Sequence, residues 1–115
     1  MSDADWLSVP DFADALGLTA SQVRELVKEG QLAAVRRGER NTVQIPAGFI
    51  VELEGKPAIL PTLRGTLTLL RDAHMDDEAA IEWLLADEAE LGMSPLASLR
   101  SGQRAHVRRL AQALL

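Results

Sequence analysis

Apolar positions recur along this chain with two periods, 3.6 and 2, and the switches between them lay out its elements. Near the start, Phe12, Ala15 and Leu16 fall on one helical face, and Val23, Leu26 and Val27 form a second buried stripe. Residues 32–37 and 42–45 then change to short β-like runs. In the second run Val43 and Ile45 alternate with Thr42 and Gln44, as a half-buried strand requires. Residues 49–53 fit a strand or a short helix equally well. From Leu60 the helical period returns. It runs through Leu63, Leu67 and Leu70 to Arg71, then Ala80, Ile81, Leu84 and Leu85, then Val107, Leu110, Ala111 and Leu114.

Start and stop signals bound these elements. Residues 1–7 are a short acidic lead containing Trp6. Ser8 is the N-cap of the first helix, with Pro10 in the first turn and Asp11 at the capping-box position. Gly17 is a glycine C-cap, and Leu18 packs in the turn. Thr19 restarts a helix, Gln22 completes a capping box with it, and Gly30 ends the helix. Two helices joined through a short glycine-containing turn have the spacing of a helix-turn-helix. Gly38-Glu39-Arg40-Asn41 makes a hairpin loop, Pro46 closes the strand after it, and Glu54-Gly55-Lys56-Pro57 is a turn. In the second half, Asp76 caps a helix whose first turn holds Asp77 and Glu78, where acids complement the dipole. Residues 86–93 form an acidic loop, Ser94-Pro95 starts a short helix, and Gly102 separates it from the last one. The fold class is therefore mainly α with a small β-hairpin wing, in two units over residues 1–55 and 56–115.

Composition narrows the function classes. With 47% hydrophobic and 25% charged residues the chain is globular, and disorder is excluded. It has no cysteine, which excludes disulfides, Cys-ligated zinc, Fe–S clusters and thiol chemistry. The N-terminus has neither the basic nor the apolar region of a signal peptide, and no apolar run is long enough for a membrane span. A cytoplasmic chain with no membrane contact is expected.

Net charge is −5 and the pI about 4.9, which by itself opposes nucleic-acid binding. The distribution changes that picture. Residues 19–45 hold five of the twelve Lys and Arg, residues 72–90 hold eight acids and no Lys or Arg, and residues 98–115 hold four Arg and no acid. A local basic patch is what a DNA surface needs. For Arg100, Arg104, Arg108 and Arg109, pairing with the acids of 72–90 or across a subunit contact is favoured over an extended DNA footprint.

Other chemistry finds little support. His74 beside Asp76, Asp77 and Glu78 reads as a helix end followed by an acidic cap, in preference to a metal site or a catalytic acid pair. Trp83 reads as core. There is no phosphate loop, nucleophile elbow or Cys–His pair, so neither an enzyme nor a cofactor is expected.

The run Gly17-Leu18-Thr19-Ala20-Ser21-Gln22-Val23, then Leu26 to Leu32, Val35-Arg36-Arg37-Gly38 and Val43-Gln44-Ile45-Pro46, resembles the winged helix-turn-helix of excisionase-like and MerR-like DNA-binding proteins. Leu60-Pro61, Leu67-Thr68-Leu69-Leu70, Ile81-Glu82-Trp83-Leu84 and Arg108-Arg109-Leu110-Ala111 extend the likeness. Over nearly the whole chain it resembles an actinobacterial family that joins such a winged unit to a C-terminal helical domain. The resemblance implies a transcriptional regulator that places helix 20–29 in the major groove of double-stranded DNA, with the 32–45 wing on the backbone or minor groove. Gln22 would then read adenine and Arg24 guanine, while Thr19, Ser21 and Lys28 meet phosphate. Arg36, Arg37 and Arg40 would grip the backbone from the wing. Such a protein would be nucleoid-associated when bound. A competing reading takes residues 81–115, which faintly resemble the toxin-binding domain of some antitoxins, as a module for a protein partner or self-association. A third is an architectural, DNA-bending role of the phage-excisionase kind.

Overall fold

The computed structural model describes residues 5–115; residues 1–4 of the acidic lead lie outside the described residues. The rest of that lead is a strand, β1 (Trp6–Ser8), and not a featureless approach to the first helix. Ser8 ends β1 and caps α1 (Val9–Leu16), accepting the Asp11 amide at 3.2 Å. The face that α1 buries is Val9, Phe12 and Ala13, while Ala15 faces solvent. The expected stripe is thus rotated, because Val9 joins Phe12, Ala13 and Leu16 in an i, i+3, i+4, i+7 row.

Helix α2 (Ala20–Lys28) has the capping box its sequence calls for. Thr19 Oγ1 accepts from Gln22 N at 3.1 Å, and Gln22 Oε1 accepts from Thr19 N at 2.9 Å. Gly30, at φ 82°, ends it: Gln31 N donates to Leu26 O at 2.9 Å and Gly30 N to Val27 O at 3.1 Å. These are the two bonds of a Schellman stop, which the left-handed glycine makes possible.

The wing is a three-stranded antiparallel sheet in the order β1-β3-β2, with β2 at Val35–Arg37 and β3 at Thr42–Pro46. Leu7 faces Ile45 across one edge and Arg36 faces Val43 across the other. The expected strand over 32–37 is shortened at its front. Leu32 and Ala33 are fully buried, and the polar backbone there bonds to side chains from the second half in place of a ladder. A single 3₁₀ turn (Ala47–Phe49) leads to β4 (Ile50–Leu53), which pairs with β5 (Lys56–Ile59). Residues 50–53 are therefore strand. Of the expected four-residue turn only Glu54 and Gly55 form the bend, both at positive φ (53° and 80°), as a two-residue hairpin turn requires. The 55/56 boundary suggested by the sequence falls at this tip.

Four helices follow: α3 (Leu63–Asp72), α4 (Asp77–Leu85), α5 (Pro95–Arg100) and α6 (Arg104–Gln112). Asp76 and Ser94 cap α4 and α5 through bonds of 2.9 and 3.0 Å to Ala79 N and Ala97 N. His74, at φ 69°, turns the chain out of α3. Leu85 and Leu110 are only half-buried, and Leu114 lies beyond the end of α6, 42% exposed. Phe12, Val23, Leu32, Ile45 and Phe49 from the first half share one continuous core with Leu63, Leu67, Leu70, Leu84, Leu96 and Val107 from the second. Among the described residues no helix is long and apolar enough to cross a membrane.

Because both halves bury side chains in that single core, the chain should unfold in one cooperative step, with helix and Trp6 signals lost together. Phe49→Ala, at the junction, should lower stability by about 3–5 kcal/mol in urea denaturation; separate transitions for the two halves would contradict the shared core.

Candidate nucleic-acid interface

Helix α2 and the wing enclose an open groove of about 670 Å³. Arg24 and Val27 of α2 line one wall, and Arg36, Arg40, Asn41 and Thr42 of the wing line the other. Arg24 is exposed, next in the helix to Val23, which is fully buried and fixes the rotation of the helix. Arg36 is held by its own hairpin, its Nη1 donating to Asn41 O at 3.0 Å. The tip closes through Asn41 N to Gly38 O at 3.0 Å, with Gly38 (φ 84°) and Asn41 (φ 53°) in the left-handed region. Arg40 sits on that tip, exposed. The single salt bridge among the described residues joins Arg71 to Asp77, so the cations around the groove carry no carboxylate partner there.

The remaining candidates are placed less uniformly. Ser21 and Lys28 are exposed on α2, outside the groove lining. Thr19 and Gln22 commit their side-chain oxygens to the capping box. A bidentate reading of adenine uses an amide oxygen and nitrogen together, so Gln22 keeps only its amide nitrogen free unless the cap opens. Arg37 turns away. Neighbours on a strand point to opposite sides, and its guanidinium stacks 4.0 Å from the centroid of the Trp6 ring. There it lines a second groove with Glu78 and Glu82 of α4. Among the described residues no group of three or more His, Asp or Glu is placed to hold a metal ion.

Two family models match the chain in order. The first, described as "DNA-binding protein Rv2175c, wHTH domain", covers residues 1–50, and the second, "Rv2175c C-terminal domain of unknown function", covers residues 60–115. The chain belongs to the Rv2175c family. It is 29% identical to the DNA-binding protein Rv2175c of Mycobacterium tuberculosis over 124 residues, spanning 97% of this chain and 82% of that protein. The NMR structure of Rv2175c matches with a TM-score of 0.82 at 29% identity, over 99% of this chain and 83% of that one. The fold is thus a winged helix-turn-helix joined to a helical C-terminal domain.

In this member of the Rv2175c family the C-terminal domain is bonded to the winged unit at two points. Arg71, in the last turn of α3, donates from Nη1 to Gly30 O at 2.7 Å and from Nη2 to Leu32 O at 3.2 Å. Nη2 also meets Asp77 Oδ1 at 3.1 Å, and Asp77 Oδ2 accepts from Ala34 N at 3.2 Å. The pair thereby fastens the segment between α2 and β2. Arg100 donates from Nη1 to Gly48 O and Ile50 O at 2.7 and 2.6 Å. This corrects the expected pairing of the C-terminal arginines with the acids of 72–90. Arg100 binds backbone carbonyls, and Arg104, Arg108 and Arg109 on α6 make no ion pair among the described residues. Helix α6 packs on α3 and α5, whereas most of those acids belong to α4 and the loop after it.

The sequence carries little sign of the Arg71 and Arg100 contacts, since each joins residues 39 to 52 positions apart. The one local hint is an Arg at the end of the Leu63-Leu67-Leu70 stripe, just ahead of Asp76-Asp77.

Arg71→Ala leaves two carbonyls and a carboxylate without their partner and should cost about 1–3 kcal/mol. Arg71→Lys should restore only part of this, because one ammonium cannot reproduce a planar fork. Urea denaturation of the two variants measures both values.

Proposed function

We propose that this chain binds double-stranded DNA, with α2 in the major groove and the wing on the adjacent backbone, and acts as a transcriptional regulator. The observation that carries this reading is the convergence of Arg24, Arg36 and Arg40, from two separate elements, on one open groove without a carboxylate on its walls. Its family's winged model is described as that of a DNA-binding protein, and the mycobacterial relative bears that name, in agreement with it.

Arg24 is the base reader, with a fork that matches the O6 and N7 acceptors of guanine. Gln22 serves first as the helix cap and adds only its amide nitrogen as a donor group. The amides of Ala20 and Ser21, at the start of α2 and outside the capping box, suit a phosphate, and the Ser21 hydroxyl stands beside them. Thr19 holds that turn in shape, while Lys28, further along, meets the backbone. Arg36 and Arg40 reach phosphate or the minor groove. Arg37 acts behind the wing by stacking on Trp6, so its contribution is to wing rigidity. Binding relies on local charge, because the whole chain carries −5.

Fluorescence anisotropy with a duplex, repeated over a salt series, tests this. Arg24→Ala should cost about 1–3 kcal/mol on a preferred sequence. Arg36→Ala with Arg40→Ala should weaken binding to all sequences and flatten the slope of log K against log salt by about 1.8. Arg37→Ala should keep the wild-type slope. Absence of binding at low salt, or wild-type behaviour of the Arg36 and Arg40 double variant, would sink the assignment.

A further inference from the structure

Three arginines of α6 remain in solvent once Arg100 is accounted for, and two of them shape a groove of their own. Arg104 and Arg108 lie four residues apart, hence on one face of α6. They line a groove of about 470 Å³ against the start of α3, where Pro61, Thr62, Gly65 and Thr66 form the opposite wall. No acid lines it, although the chain is acidic overall. Neither arginine has a salt-bridge partner among the described residues.

The α3 wall offers donors of the matching kind. Leu63 N is bonded to Leu60 O and Thr66 N to Thr62 O, but the amides of Arg64 and Gly65 have no acceptor. A side chain at Gly65 would meet nothing within 4 Å, so the approach to that backbone is open. A helix N-terminus adds positive potential to these donors. Two guanidiniums facing free amides form a set of donors without an acceptor charge, the chemistry that a tetrahedral phosphate oxyanion satisfies.

We propose that this α3–α6 face is a second phosphate-binding surface, through which the C-terminal domain holds the backbone of a DNA duplex. The inference rests on the DNA-binding reading above, which supplies the source of the phosphate. It gives the domain a role separate from bracing the winged unit, since the α2–wing groove and the α3–α6 groove share no lining residue.

The test uses the full chain and a duplex, with two readouts. In amide chemical-shift titrations, the Arg64 and Gly65 N–H signals of the unaltered chain should move on addition of duplex, a reading that needs no variant. In anisotropy over a salt series, Arg104→Gln with Arg108→Gln should reduce the slope of log K against log salt by about 1.8 while leaving sequence preference intact. If the Arg64 and Gly65 signals stay still, or the double variant keeps the wild-type slope while Arg24→Ala weakens binding, the second surface is overturned and the DNA-binding reading stands. A chain that binds no duplex at any salt overturns both.

Discussion

The guanidinium of Arg71 meets three oxygens from three different segments, and the geometry of the α2–wing unit depends on it. Gly30 O ends α2, Leu32 O belongs to the connection beyond, and Asp77 Oδ1 opens α4. Asp77 then carries the constraint onward to Ala34 N, one residue before β2 begins. An arginine is suited to this place because its donors are fixed in a plane, so satisfying one carbonyl orients the others. The close approach also explains Gly30 on two independent grounds. Its φ of 82° disfavours any side chain, and a Cβ there would stand 3.1 Å from Arg71 Nη1. The end of α2 and the start of the wing are therefore held against the same body.

That constraint decides which wing residues face α2. With β2 starting at Val35, Arg36 pairs in register with Val43 and lines the α2–wing groove, and Arg37 falls on the other side. A start one residue earlier or later would exchange the two. The third strand, β1, then gives Arg37 a purpose, because Trp6 supplies the ring on which it stacks. Adjacent arginines in sequence thus take unrelated tasks, one facing the groove and one bracing the sheet from behind.

What the sequence made legible was local. Ser8, Thr19 with Gln22, Asp76 and Ser94 all cap the helices their spacing indicated, since a cap needs only residues three apart. Gly30 and the Gly38 to Asn41 turn are local for the same reason. The errors lie where a distant partner overrides a local pattern. Leu32-Ala33-Ala34 reads as strand but bonds to Arg71 and Asp77 instead. Trp6-Leu7-Ser8 is too short to declare a strand until β3 is there to receive it. Residues 50–53 stayed undecided because their partner β5 follows a turn of only two residues and includes Pro57. At the candidate site the residue types were legible, but which of them converge was not. The sequence lists Arg36 and Arg37 as equals, and only the sheet register separates them.

Net charge proves a poor guide here because the arginines divide by environment. Arg71 and Arg100 lie against backbone carbonyls, and Arg37 lies over an aromatic ring. These contacts engage their guanidiniums with partners inside the protein. Arg24 and Arg40 on one groove, and Arg104 and Arg108 on another, have no such neighbour within the described structure, and Arg36 beside the first two bonds only to Asn41 O of its own hairpin. The acids are spread along the chain, from Glu25, Glu29 and Glu39 at α2 and the wing to the set on α4 and the loop after it, but none of them lines either groove. Screening over a Debye length of roughly 8 Å at physiological salt confines each set to its own surroundings. On a body 35 × 32 × 27 Å across, a duplex approaching either arginine groove senses those few cations far more than the overall −5.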